Sequence, residues 1–347
     1  MKLLGWRGLF VCLLLGCLCA AAGAKQKSPS GYHLIKQVKL GGEGGWDYLT
    51  FDAKGNRLFI SRSTHVMVVD ADTFAVVGDI PDTQGVHGIA LAEDLGKGYT
   101  SNGRASTVTV FDLKTLKVLK QIPVGKNPDA IIYDPASKRV FTMNGASNDT
   151  TAIDAATDTV AGTVALGGRP EFAVSDERGH VFANLEDKGE VVEFDSKKLG
   201  AALARWPIAP GEEPSGLAID RKHARLFSTG ANKTLVVLNA ETGKVVTTLP
   251  IGGGVDAAGF DPDLGLTFSS NGEGTLTVIH EDSPDKFTVL ENVATRRGAR
   301  TMALDPKTHR VFLVTAEFGP PPAPTPERPR PRPSIIPGSF TLLILGR

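Results

Sequence analysis

Residues 131–141 read IIYDPASKRVF: an apolar run that stops at Asp134, a turn begun by Asp134-Pro135, and a second apolar run that ends on Phe141. The pattern recurs as LTFDAKGNRLF around Asp52, IALAEDLGKGY around Ala92, FAVSDERGHVF around Asp176, LAIDRKHARLF around Asp220, AGFDPDLGLTF around Asp261 and MALDPKTHRVF around Asp305. Successive register positions lie 40, 42, 42, 44, 41 and 44 residues apart. A period near forty, filled with short strands and turns, is the signature of a propeller, in which each repeat is one small sheet.

Within a repeat the short runs Leu58-Phe59-Ile60, Val66-Met67-Val68-Val69 and Ala75-Val76-Val77 are β-branched or aromatic and are separated by Asp, Gly, Asn and Pro, so they read as strands. Four strands fit the repeat length. A second series, Asp70, Asp112, Asp154, Asp195 and Asn239, marks the turn between the third and fourth strands, with His280 at that place in the sixth copy. Such side chains accept backbone N–H bonds two residues on, which makes both Asp series structural. After Asp305 the chain offers strands at Arg300 to Leu304, Arg310 to Thr315 and Ser339 to Leu345, and then ends at Arg347 with no outer strand. Tyr32 to Leu40, YHLIKQVKL, matches the outer strands VLKQIP and VVTTLP of other copies and should complete the seventh blade, removing an exposed edge. The expected fold is all-β: a seven-bladed β-propeller of four-stranded blades, closed by an N-terminal strand.

Residues 1–24 read as a secretory signal peptide, with Lys2 and Arg7 before the apolar Leu9 to Leu18 and Ala22-Gly23-Ala24 as the cleavage site. Residues 25–347 then form one propeller domain, with no transmembrane span, because the apolar run is too short to cross a bilayer. The expected location is the periplasm or the exterior. Leu14-Leu15-Gly16-Cys17 also resembles a lipoprotein cleavage site, so a lipid anchor on Cys17 is the competing reading. The three cysteines, Cys12, Cys17 and Cys19, all lie in this leader, so the cleaved chain has no disulfide. The 38 basic residues balance 38 acidic ones, which supplies no field for nucleic acid. Gly319 to Gly338, GPPPAPTPERPRPRPSIIPG, is too rich in proline to donate a ladder and reads as an extended excursion or strap, with arginines at 328, 330 and 332.

The strands Tyr99-Thr100-Ser101-Asn102 and Phe141-Thr142-Met143-Asn144, with the junction Ile122-Pro123-Val124-Gly125-Lys126-Asn127-Pro128-Asp129, resemble the YVTN-repeat family of seven-bladed propellers, the YncE-like secreted bacterial proteins. The resemblance covers residues 32 to 347. It implies a binding scaffold and carries no catalytic motif. Ala92 in place of the turn Asp and His280 in place of the strand-end Asp depart from the pattern without threatening the fold.

Five residues before each register position stand Asp47, His87, Asp129, Glu171, Ser215, Asp256 and Arg300. In a propeller the innermost strands line the axis, so these seven should converge on one mouth. Loops after the second strands should add Arg62, Arg104, Asn102, Asn144, Asn184, Asn271 and Glu317 to the same face. Four carboxylates in a narrow channel repel one another and favour a positive ligand, a polyhydroxylated molecule or a divalent cation such as calcium, magnesium or manganese with His87 as a further ligand. No cofactor is required. Against this stands a structural reading, in which each carboxylate satisfies local N–H groups or pairs with Arg300, Arg169 or Arg297. The seven histidines show no zinc-enzyme spacing, and His223 and His309 read as solvent-facing turn residues. Trp46 and Trp206 are expected between blades. The leading function is a monomeric binding scaffold for a small molecule or protein at the axial mouth. A metal-dependent lactonase-like hydrolase or sugar or alcohol oxidoreductase using Asp47, His87, Asp129, Glu171 and Asp256 is the alternative.

Overall fold

The structure, a computed structural model, describes residues 29–325, 331 and 333–347. The expected signal peptide, the Cys17 anchor and the arginines at 328, 330 and 332 lie outside the described residues. Seven antiparallel four-stranded sheets follow one another as blades. The first is built of Leu49–Asp52, Arg57–Ser61, Val66–Asp70 and Val76–Ile80. The seventh runs Met302–Asp305, Arg310–Thr315 and Thr341–Gly346, and its outer strand is His33–Lys39 from the other end of the chain. His33 pairs with Gly346 and Lys39 with Thr341, so the closing strand is antiparallel to the last one. Tyr32 anchors it: the ring is buried against Phe268 at 5.0 Å and the hydroxyl donates to the carbonyl of His309 at 2.8 Å. Among the described residues no helix is long and apolar enough to cross a membrane.

The repeated aromatic explains why the blades stack. Phe59, Tyr99, Phe141, Phe182, Phe227, Phe268 and Phe312 are each at most 2 % exposed. Each sits in an apolar cluster shared by two neighbouring blades, as Phe312 does with Leu58 and Ile60 across the seam of closure. A single blade could not bury these faces alone, so closing the ring and building the core are one event. The turn carboxylates act as their sequence position requires. Asp134 accepts the N–H of Ser137, Asp305 that of Lys307, Asp70 that of Thr73 and Asp112 that of Thr115.

Two local expectations change. The proline-rich excursion does pair at its roots: Phe318 and Ile335 form an antiparallel bridge, and Gly319 donates to the Ser334 carbonyl at 2.9 Å. Proline forbids ladder bonds only where its own nitrogen would donate, and these root residues are not prolines. His223 and His309 do not face solvent openly. Both are half-buried, and His309 Nδ1 lies 2.8 Å from Asp261 Oδ2.

Candidate functional site

His87, Asp129, Glu171, Ser215 and Asp256 each occupy the second position of an innermost strand, and Asp47 and Arg300 stand two residues ahead of theirs. Neighbouring blades fix the backbone at this level. Thr301 Oγ1 donates to the Asp47 carbonyl at 2.6 Å, Ser270 Oγ to that of Arg300 at 2.5 Å, and Ser101 Oγ to that of Asp129. Ser215 directs its own hydroxyl to the Val255 carbonyl at 3.1 Å.

Five of the seven side chains form one continuous arc of alternating charge. His87 Nδ1 lies 2.6 Å from Asp47 Oδ2 and 3.6 Å from Asp129 Oδ1. Arg300 joins the other side, with Nε 2.5 Å from Asp256 Oδ2 and a terminal nitrogen 3.5 Å from Asp47 Oδ1. The order is therefore Asp129, His87, Asp47, Arg300, Asp256, contributed by the third, second, first, seventh and sixth blades. Glu171 lies outside the arc and interacts with Glu186, which is held by Arg169 at 2.6 Å.

Burial and crowding set the protonation states. Burial pushes Asp129 up to about 7, with Asp47 and Asp256 adding to the rise and the His87 charge opposing it. Glu171 is pushed up to about 10 by burial, by the Asp129 charge and by its hydrogen bond to Glu186, so it is protonated at neutral pH. Asp256 is also raised by burial, although Arg300 pulls the other way. For His87 burial acts downward, but the bond to Asp47 and the Asp129 charge outweigh it and raise the imidazole. Asp47, His87 and Asp129 bring three potential ligand atoms within 4.8 Å of one another.

Beneath the arc the residues one step further along are Tyr48, Gly88, Ala130, Phe172, Gly216, Ala257 and Thr301. Tyr48 and Phe172, from the first and fourth blades, touch across the axis with ring centroids 5.2 Å apart. Small residues elsewhere let neighbouring blades approach; a Cβ on Gly216 would stand 2.6 Å from the Ala257 backbone. The channel is thus floored below the polar ring, and the Tyr48 hydroxyl hydrogen-bonds Asp129 from that floor.

The remaining sequence candidates serve the framework. Arg62 is 1 % exposed, donates to the carbonyls of Gly41, Glu43, Gly44 and Gly45, and stacks over Phe340 at 3.7 Å. Asn102, Asn144 and Asn271 are buried and tie the second strand of a blade to the third, each accepting from a hydroxyl two residues earlier and donating to one on the next strand. Asn184 donates to the carbonyls of Ser215 and Gly216 in the next blade. Arg104 is exposed, and Glu317 lies 4.0 Å from Arg296.

A cavity of about 300 Å³ opens beside Arg300. Trp46, Phe318, Pro333 and Ile335 give it apolar walls, and Arg297 and Arg300 give it positive charge. Trp46 also packs on Phe340 at 5.5 Å, so it serves both the blade interface and the cavity. Tyr48 and Phe172 were legible as large residues where other copies carry small ones. Arg297, expected as a partner of the axial carboxylates, makes no ion pair with them among the described residues and lines the cavity instead.

No protein-family description and no curated protein matches the chain. Among solved structures it is similar to a chain of Kuenenia stuttgartiensis hydrazine synthase, with a TM-score of 0.68 and 17% identity over 85% of this chain and 95% of that one. Identity that low supports the shared fold and carries no chemistry across.

Proposed function

We propose that the chain is an exported binding propeller of the YVTN-repeat, YncE-like kind, which takes a small organic acid at its axial mouth. The observation that carries this reading is the cavity between the charged arc and the strap. Its volume, about 300 Å³, suits a small metabolite. Its apolar walls would take the body of the ligand. Arg300 already has two carboxylate partners, whereas Arg297 makes no side-chain hydrogen bond or ion pair among the described residues. A guanidinium without a partner beside an apolar wall suits a carboxylate, which it can meet with two parallel N–H bonds. Thermal-shift measurements with matched acids and amides test this. Acids should raise the melting temperature of the wild type, and the rise should vanish in Arg297→Gln. Equal responses to acids and amides would sink the reading.

A metal-dependent enzyme is the second reading, favoured by the clustering of Asp47, His87 and Asp129. The donor set of one imidazole and two carboxylates fits a divalent ion. Titration of calcium, magnesium and manganese by calorimetry decides it, since absence of heat and of thermal stabilisation removes the metal.

A further inference from the structure

A second ionisable cluster lies on the opposite face of the wheel, between the fifth and sixth blades, at the far ends of the strands that begin at the axial mouth. His223 Nδ1 is 2.7 Å from Asp220 Oδ2 and 2.7 Å from Glu281 Oε1. Both carboxylate side chains are only 3 % exposed, whereas the imidazole is 32 % exposed and closes the cluster toward solvent.

The repeat shows that Glu281 is out of place. The residue following each third-strand turn position is Ala71, Leu113, Ala155, Ser196 and Ala240 in the first five blades, and Glu281 in the sixth. These residues are structurally equivalent, because each donates its backbone N–H to the turn of the same blade: Ala71 to Asn56, Ala155 to Lys138, Ala240 to Ala224 and Glu281 to Gly265. A small or apolar side chain satisfies that site in the first five blades. Here a carboxylate is buried instead, with its second oxygen, Oε2, lacking any hydrogen-bond partner.

The His223 Nδ1 contact serves Glu281 Oε1 and leaves Oε2 without a donor, and the nearest cation does not make up the difference. Arg225 directs its donors to Asp285 and to the carbonyls of Pro284, His223 and Ala224. Asp220 accepts the turn N–H of Lys222 on Oδ1 and that of His223 on Oδ2, and Oδ2 also faces the cluster. The three potential ligand atoms lie within 4.8 Å of one another.

We propose that Asp220, His223 and Glu281 form a divalent transition-metal site, of the zinc or manganese class, that clamps the fifth blade to the sixth. One imidazole nitrogen with two carboxylates is a donor set for such ions, and a water on the exposed side would complete the coordination. The buried Oε2 gains the partner it lacks. The site is separate from the axial arc and independent of the ligand proposed there.

The test uses the purified chain, stripped with chelator and titrated with zinc and, separately, manganese. Glu281→Ala installs the residue that three other blades carry, so it should fold. It should lose one equivalent of bound metal, with affinity at that site falling about 100-fold or more, while Asp129→Asn keeps that equivalent. Metal should raise the melting temperature of the wild type more than that of Glu281→Ala. A wild type that binds neither ion overturns the proposal. So does a Glu281→Ala protein, folded by circular dichroism, with unchanged stoichiometry and thermal response.

Discussion

The rings of Tyr48 and Phe172 meet across the propeller axis, 5.2 Å apart and inclined by 45°, although they belong to blades that are not neighbours. Tyr48 thereby closes the channel below the charged arc, and its hydroxyl supports the Asp129 carboxylate from beneath. Tyr48→Phe keeps the floor and removes that donor. The Asp129 carboxyl should then titrate above its wild-type value, as a carbon-detected NMR titration of the carboxyl can show. Tyr48→Ala opens the floor and should cost about 2–3 kcal/mol in denaturant unfolding, less than a fully buried aromatic because Tyr48 is only half-buried.

The arc also dictates how stability varies with pH. Asp129 moves from 3.8 to about 7 on folding, and Glu171 from 4.5 to about 10. Above about pH 4 the unfolded carboxyls have released protons that the folded ones keep. The folded state then binds more protons, so this contribution is fully present at low pH and is lost as pH rises through about 7 for Asp129. Turn residues Asp70, Asp112 and Asp154 are lowered by backbone N–H bonds, and their contribution fails in the opposite direction, as pH falls through the ordinary carboxylate range. Stability should therefore peak in mildly acid solution. The wild-type melting temperature should drop by a few degrees from pH 5 to 8. Asp129→Asn should remove part of that drop, the Glu171 contribution remaining, and a parallel decline in both proteins would contradict the assignment.

Closure makes a separate prediction. Removal of residues 29–40 deletes the strand His33–Lys39 and exposes the backbone edge of Thr341–Gly346. An uncovered edge of this kind invites pairing between molecules. The truncated protein should melt far below the parent and aggregate, read by light scattering during a thermal ramp. Tyr32→Phe is the mild counterpart. It loses only the bond to the His309 carbonyl and should cost about 1 kcal/mol.

The fold was legible because the repeat encodes it redundantly: the same aromatic and the same turn carboxylate recur, and each recurrence confirms the others. The axial level was legible for the same reason, since Asp47, His87, Asp129, Glu171, Ser215, Asp256 and Arg300 hold one place in every copy. What each side chain does there was not. Whether Arg300 binds a ligand or bridges Asp256 and Asp47 depends on how near seven strands approach, and spacing along the chain is silent about that. Asn102, Asn144 and Asn271 show the opposite limit. Their recurrence looked like a shared polar face, but a polar residue repeated in a buried strand can equally be an internal tie, and here it is. The cavity at Arg297 was hidden altogether, because proline content masked the root pairing of the strap that shapes it.

Arg62 shows how a residue assigned to the mouth came to hold the closure instead. It follows the second strand of the first blade, and the glycine-rich turn 41–45 connects the closing strand to that blade. Glycine supplies no side chain to fix such a turn, and Gly41, Gly42 and Gly44 all adopt positive φ. The guanidinium gathers four of its carbonyls, while Phe340 offers an aromatic face. Burial lowers the guanidinium to about 10, yet it remains charged at neutral pH. Arg62→Met should remove all four bonds to the turn and destabilise the protein by about 1–3 kcal/mol. Arg62→Lys keeps the charge but cannot fork to several carbonyls at once, so it should recover only part of the loss. Chemical denaturation measures both. If lysine restored full stability, charge alone would be holding the turn and the forked geometry would be incidental.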